Sequence, residues 1–247
     1  MNRVVIVTGG SRGIGRAVAL AVAARGHDVV VGYASNKAAA DEVVGQIEAG
    51  GGKAIAVKCD VGSEADILNL FKQADQFGSL WALINNAGIV DQAARLDGMS
   101  AARLSRMMTV NVVGSMLCAR EATKRLSTKH GGKGGVIVNL SSRAAVLGAP
   151  GQYIDYAASK AAIDAVTTGL GRELGNEGVR VVGVRPGLID TEIHASGGDA
   201  EFARRLANTV PMQRVGTPEE IANAIVWLIS EDASYVTATT MDVSGGR

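Results

Sequence analysis

Tyr156 and Lys160 stand four residues apart in Tyr156-Ala-Ala-Ser-Lys160, at the opening of an alanine-rich stretch that favours a helix. On a helix that spacing puts both side chains on one face, one turn from each other. A free phenol titrates near about 10, too high for proton transfer at neutral pH. A neighbouring ammonium favours the phenolate, so Lys160 is expected to lower the Tyr156 pKa into the range for general acid–base work. Upstream, the apolar run Val136-Ile-Val-Asn-Leu140 reads as a buried strand that stops on Ser141-Ser142. A serine at that strand end, facing the same cleft, can hydrogen-bond a carbonyl or hydroxyl under transformation. A Tyr-x-x-x-Lys pair also arises by accident on solvated faces. The chemistry therefore needs a cofactor site aimed at the same stretch.

The preceding chain supplies one. Val4-Val-Ile-Val7 reads as a short buried strand that breaks into Thr8-Gly-Gly-Ser-Arg-Gly-Ile-Gly15 and then into a helix over Arg16–Arg25. Strand, glycine turn and helix is the layout that sets a phosphate on a helix N-terminus. The spacing is G-x-x-x-G-x-G through Gly9, Gly13 and Gly15, not the longer-known G-x-G-x-x-G. Strands and helices then alternate: strand Asp28–Gly32, helix Lys37–Ala49, strand Lys53–Lys58 ending at Asp60-Val61, and strand Leu80–Ile84 ending at Asn85-Asn-Ala-Gly88. Ser63 is expected to cap the helix after Asp60, with Asp66 in a weaker form of the capping box. Ala101–Ser127 carries one long helical pattern containing Asn111. After the Tyr/Lys helix come a strand at Val179–Val184 ending in Arg185-Pro-Gly187, a helix Pro218–Leu228 capped by Thr217, and a last strand Thr239–Val243.

This alternation implies right-handed crossovers and a parallel sheet covered on both faces. The ligand cleft of such a sheet lies at the C-terminal ends of its strands. Those ends carry Gly9–Gly15, Asp60, Asn85–Gly88, Ser142 and Pro186-Gly187. The long irregular stretch at 187–213 is expected to be a substrate lid.

Composition narrows the class. With a net charge of +1 and no lysine/arginine block, nucleic acid is a poor partner. His27, His130, His194, Cys59 and Cys118 have no metal-site spacing, and two cysteines give no disulfide framework. There is no basic-then-apolar leader and no apolar run of about 18 residues, so a soluble cytoplasmic protein is expected.

With Thr8-Gly-x-x-x-Gly-x-Gly15, Asn85-Asn-Ala-Gly88, Ser142 and Tyr156-x-x-x-Lys160 in this order, the chain resembles the short-chain dehydrogenase/reductase family along essentially its whole length. It is closest in look to bacterial glucose 1-dehydrogenase-like members. The resemblance implies one Rossmann-like α/β domain over residues 1–247, a doubly wound sheet of seven parallel strands with helices on both faces, and usually a homotetramer. It implies hydride transfer between a nicotinamide cofactor and an alcohol or carbonyl. By that resemblance Tyr156 is the acid/base, Ser142 orients the substrate oxygen, Lys160 binds the nicotinamide ribose, and Asn111 holds a water that links Lys160 to solvent. Gly9, Ser11, Arg12, Gly13, Ile14 and Gly15 would hold the pyrophosphate and adenosine, and Asp60 and Val61 would flank the adenine. Asn86, with Ala87 and Gly88, would support the adenosine side and the central strand, and Pro186, Gly187, Ile189 and Thr191 would hold the carboxamide. Tyr156 follows Ser142 by fourteen residues, one more than the commonest family spacing, so the intervening loop is expected to differ. Tyr153 lacks a lysine four residues on, and pocket wall and plain packing remain equal readings for it. A dehydratase or epimerase on the same fold, or a non-catalytic cofactor-binding regulator, are the alternatives. The substrate stays open among sugars, steroids, acyl-carrier thioesters and small ketones.

An NAD-selecting unit carries an acid near the end of its second strand, where it binds the ribose 2′-hydroxyl. Here that position falls on Tyr33, in a stretch without any acid, flanked by Ser35, Asn36 and Lys37, with Arg12 in the glycine turn. NADP(H) is therefore expected over NAD(H), because charge-assisted bonds to a 2′-phosphate are strong.

Overall fold

The computed structural model describes residues 3–191 and 205–247. Its strands are β1 (Arg3–Val7), β2 (Asp28–Tyr33), β3 (Ala54–Lys58), β4 (Ser79–Asn85), β5 (Gly135–Leu140), β6 (Val179–Pro186) and β7 (Thr239–Val243). They form one seven-stranded sheet in the order β3-β2-β1-β4-β5-β6-β7, with every neighbouring pair parallel. The order reverses between β1 and β4, and at such a switch point two neighbouring connections leave the sheet on opposite faces and open a crevice.

Successive strand residues point to opposite faces, and here both faces are buried. Val5 and Val7 enter one core with Val29 and Val31, while Val4 and Ile6 enter the other with Val30. The first core is covered by helices α1 (Gly13–Ala23) and α2 (Lys37–Ala49). The second is covered by α3 (Glu64–Phe77). Then come α4 (Ala101–Met108), α5 (Ser115–Leu126), the short α6 (Ala144–Leu147), α7 (Ile154–Leu174) and α8 (Pro218–Ile229). Of these, α8 joins α1 and α2, while α5 and α7 join α3.

The single long helix read over Ala101–Ser127 is interrupted. Between α4 and α5 the six residues Thr109–Gly114 form a π-helix, a widened turn that often marks a functional position. The weak capping box at α3 also differs. Ser63 Oγ accepts from the Asp66 backbone N–H at 3.3 Å, but the Asp66 carboxylate reaches the Asp60 N–H and the Ser63 hydroxyl instead of the Ser63 N–H. At α8 the longer Glu220 does reach back to the Thr217 N–H, at 2.9 Å, and closes a full capping box.

The expected lid falls partly on residues 192–204, which lie outside the described residues together with His194. Its described ends are anchored: Asp190 N–H donates to Gly216 O at 3.0 Å, and Leu188 packs with Val210, Leu206 and Val215. Among the described residues, no helix is long and apolar enough to cross a membrane, and no cluster of His, Cys, Asp and Glu suits a metal ion.

Candidate active site

β5 delivers two serines to different places. Ser141 is 3% exposed, and its hydroxyl donates to the Lys160 carbonyl at 3.1 Å, which fastens α7 to the sheet. Ser142, one residue on, faces the open cleft. Its Oγ accepts from the Ala144 N–H at 3.1 Å, and its hydroxyl stands beside the Tyr156 phenol, where it favours the phenolate. Between them the chain makes α6 and a turn in which Gly148, Ala149 and Gly151 all have positive φ. That turn absorbs the fourteen-residue spacing and still brings Ser142 onto Tyr156.

Tyr156 is half-buried and lines the cleft. Burial raises its pKa above 10, and the Ser142 hydroxyl opposes the rise. The expected lowering by Lys160 does not occur in this structure. The Lys160 ammonium sits 5.7 Å from the centre of the Tyr156 ring and donates to the Leu140 carbonyl at 2.6 Å. Burial lowers the Lys160 pKa to about 8, opposed by the charge of Asp164. At neutral pH Lys160 therefore stays mostly charged, with its proton aimed at the end of β5.

Behind Lys160 the π-helical turn brings in Asn111, which is 1% exposed. Its Oδ1 accepts from the Ile89 N–H at 2.8 Å, and its Nδ2 donates to Ile89 O at 3.0 Å and Ser159 Oγ at 3.1 Å. The Ser159 hydroxyl donates in turn to the Tyr156 carbonyl at 2.7 Å. Asn111 thus ties the loop after β4 to the turn of α7 that carries Tyr156. A Cβ on Gly88 would lie 3.3 Å from Asn111 Oδ1 and 3.5 Å from Lys160 Nζ, so a side chain there would press on this corner.

The glycine turn after β1 is drawn together by close contacts. Gly9 has φ +62°, and a Cβ on Gly15 would stand 2.2 Å from the Gly9 carbonyl oxygen. Asn86 Nδ2 donates to Thr8 O at 2.9 Å and Gly9 O at 3.0 Å, while the N–H groups of Asn86 and Ala87 donate to Thr8 Oγ1. The N-cap of α1 is Arg12, whose side chain makes no cap hydrogen bond, so the first N–H groups of the helix beside Ser11 and Gly13 are not taken up by the N-cap side chain. A backbone cradle without Cβ atoms at a helix N-terminus fits a dinucleotide pyrophosphate.

These parts meet at a cavity of about 460 Å³. Ile14, Asn86, Gly88, Ser142, Tyr156 and Lys160 all line it, and Pro186, Gly187, Ile189 and Thr191 line it from the loop after β6. Tyr153 lines it as well, which favours pocket wall over plain packing. The remaining positions lie off this cavity. Asp60 is exposed after β3, and Val61 is buried. At the end of β2, Tyr33 is 7% exposed and packs in the core, whereas Ser35, Asn36 and Lys37 are at the surface. Asn36 Oδ1 caps α2 by accepting from the Ala39 N–H at 3.0 Å, and Lys37 pairs with Asp41 at 2.6 Å. Sequence reasoning missed Arg143, Gln152, Leu206 and Arg247, which also line the cavity. None belongs to a motif or a periodic face, and only the folded chain collects them.

A doubly wound seven-stranded sheet, a glycine cradle after β1, and Ser142, Tyr156 and Lys160 around one cleft define a Rossmann-like oxidoreductase. The chain belongs to the short-chain dehydrogenase/reductase family. Residues 9–247 match the family model described as enoyl-(acyl carrier protein) reductase. The chain is 50% identical over 245 residues to the uncharacterized oxidoreductase YgfF of Escherichia coli K12, covering 99% of both. It is 38% identical over 246 residues to a 3-oxoacyl-[acyl-carrier-protein] reductase of Synechocystis, covering 99% of this chain and 96% of that one. A short-chain dehydrogenase from Burkholderia cenocepacia J2315, solved in complex with NADP, superposes with a TM-score of 0.90 at 34% identity, covering 99% of this chain and 97% of the other. The narrower likeness to glucose 1-dehydrogenases is not carried by these names.

Proposed function

We propose that the protein is an NADP(H)-dependent oxidoreductase acting on an alcohol or carbonyl, with Tyr156 as general acid/base. The observation that carries this reading is that Ser142, Tyr156 and Lys160 line one cavity that Ile14 and Asn86 of the glycine cradle also line. When bound, the nicotinamide supplies or accepts the hydride. In reduction Tyr156 gives its phenol proton to the carbonyl oxygen, and in oxidation it takes the proton back. Ser142 holds the same oxygen and favours the charge that develops on it. Lys160 offers its ammonium to the cofactor ribose and keeps positive charge near Tyr156. Asn111 holds the loop and helix behind Lys160 and would seat the water of a proton relay.

The glycine turn with Ser11, Arg12 and Ile14 would hold the pyrophosphate side, Asp60 and Val61 the adenine, and Pro186, Ile189 and Thr191 the carboxamide. Three observations favour NADP(H): the stretch after β2 has no acid, Arg12 is exposed beside the cradle, and the Burkholderia relative was solved with NADP. The test is a panel of carbonyls and alcohols followed by nicotinamide absorbance with both cofactors. Turnover of no member with either cofactor would defeat the reading.

We also propose a cytoplasmic homotetramer. Met108, Val113 and Met116 are 41–49% exposed along α4, the π-turn and α5, an apolar strip that a second subunit would cover. Light scattering that shows a monomer at micromolar concentration would overturn that assembly.

A further inference from the structure

We infer that the substrate is an uncharged carbonyl or alcohol with an alkyl body, seated against Val90, Leu147, Leu188 and Leu206. The inference deepens the oxidoreductase reading and rests on it. These four side chains line the same cavity as Ser142 and Tyr156, and among the described residues no Asp or Glu lines it. They come from four separate segments: the loop after β4, the last residue of α6, the loop after β6, and the stretch that leads to α8. Val90 follows Ile89, whose N–H and carbonyl are both held by Asn111, at 2.8 and 3.0 Å. Leu147 donates its N–H to Arg143 O at 3.1 Å, and Gly148 turns the chain directly after it at φ +75°. Leu188 and Leu206 pack together with Val210 and Val215. The apolar wall is thus built on the same elements that carry the catalytic residues. Leu147 is still 48% exposed, so the wall reaches the mouth of the cavity.

The polar groups of the same cavity are largely committed elsewhere. Ser141 donates to the Lys160 carbonyl, and Arg143 gives Nη1 to Asp242 at 2.5 Å. Nε of Arg143 and Nη1 of Arg247 have no access to solvent, so these nitrogens cannot meet a ligand. Beyond the catalytic residues and the proposed cofactor positions, Gln152 and Tyr153 are the uncharged polar side chains left on the wall. A sugar would press several hydroxyls against leucine and valine, and each one that lost water without a partner would weaken binding. A carboxylate would lose still more. An alkyl body instead gains from every methylene taken out of water. A carbonyl at Ser142 and Tyr156 with a chain running past Val90 to Leu147 is the shape these groups describe.

The experiment follows NADPH oxidation with methyl alkyl ketones of four to eight carbons. Two polar counterparts are run beside them: erythrulose, matched to the four-carbon ketone, and levulinate, matched to the five-carbon one. In the wild type kcat/KM is expected to rise about two- to fourfold per added methylene, the range of one methylene leaving water. Each plain ketone should exceed its polar counterpart by about tenfold or more. In Leu147→Gln and Val90→Thr the ratio of eight- to four-carbon ketone is expected to fall by about 3- to 10-fold. Leu147→Met should keep most of it. A merely structural side chain would slow both ketones alike and leave the ratio where it was, so a ratio unmoved in both variants overturns the seat. A flat series, or a preference for erythrulose or levulinate, overturns it too. If no carbonyl or alcohol turns over with either cofactor, the oxidoreductase reading fails by itself. The seat is then read by saturation-transfer NMR on the NADP⁺-loaded protein with the eight-carbon ketone and with erythrulose. Transfer to the alkyl protons that weakens in Leu147→Gln supports it. No transfer, transfer equal in wild type and variant, or stronger transfer to erythrulose overturns it.

Discussion

Lys160 Nζ donates to the carbonyl oxygen of Leu140 at 2.6 Å, so the ammonium on α7 is pinned to the last residue of β5. Burial there costs the charge much of its hydration, and the Lys160 pKa falls from 10.5 to about 8. Lys160 is therefore a group that the fold carries at some expense. The role proposed for it beside Tyr156 would be what keeps a cation where packing alone would favour a neutral side chain.

Replacing that cation should stabilise the protein at neutral pH. Between about 8 and 10.5 the unfolded chain holds the Lys160 proton more firmly than the native one, so wild-type stability gains with pH across that window. The shift corresponds to about 3 kcal/mol of penalty at pH 7, against about 1–3 kcal/mol for leaving the Leu140 carbonyl without its donor. Lys160→Met is expected to be at least as stable as wild type at pH 7, by about 1 kcal/mol, and to lose that advantage by pH 10.5. Urea unfolding at both pH values checks the sign. An advantage that grew with pH would contradict the burial account.

Tyr156→Phe should lower kcat by about 10² to 10⁴ while NADPH binding stays within about twofold, since the ring can still pack. The buried phenol adds a spectroscopic expectation. In the cofactor-free protein Tyr156 titrates above 10, so the difference in 295 nm absorbance between wild type and Tyr156→Phe should stay flat below that pH. A tyrosinate signal near pH 8 in the cofactor-free protein would show that Lys160 does act on the phenol directly.

That contrast shows what the sequence could and could not carry. Apolar runs and glycine breaks placed the strands well: Thr239–Val243 and Lys37–Ala49 have the same ends in the structure as in the sequence reading. A spacing of four put Tyr156 and Lys160 on one helix face, but it says nothing about where a four-carbon chain sends its ammonium. The π-turn at Thr109–Gly114 was equally invisible, because one widened turn hardly changes a helical pattern read over six residues. The buried chain that links Asn85 to Asn139 and Asn139 to Thr167, each at 3.0 Å, joins residues 54 and 28 positions apart. Only the sheet register brings such residues together.

Arg103 illustrates a positioning residue of that kind. Its Nε and Nη2 grip the Asp155 carboxylate at 2.7 and 3.2 Å, and its Nη1 donates to Gln92 O at 2.7 Å. Asp155 directly precedes Tyr156, and its side chain is 2% exposed. Arg103→Ala strands a buried carboxylate at the start of α7, and a loss of about 3–5 kcal/mol in unfolding free energy is expected. Arg103→Lys should recover part of the stability but not the two-pronged grip, leaving kcat below wild type. Equal stability of wild type and Arg103→Ala would show that the pair breaks even with solvent.

The cofactor preference can be tested where the structure leaves room. The position aligned with the NAD-selecting acid is Tyr33, yet its side chain is 7% exposed and packs against the core under α2. An aspartate there would bury a charge and confuse lost stability with altered preference. Ala34, the next residue, is exposed and directly follows β2, so Ala34→Asp places a carboxylate at the strand end without touching the core. A carboxylate accepts from a ribose 2′-hydroxyl and repels a 2′-phosphate. Arg12 offers the opposite charge from the exposed N-cap of α1. Arg12→Ala is expected to raise the NADPH KM by about 10- to 100-fold, the range of one lost charge-assisted contact, and to change the NADH KM far less. Ala34→Asp should lower kcat/KM with NADPH and raise it with NADH. Initial rates with both cofactors on one carbonyl decide the matter. A wild-type enzyme with higher kcat/KM for NADH than for NADPH would refute the preference and leave the roles of Ser142, Tyr156 and Lys160 standing.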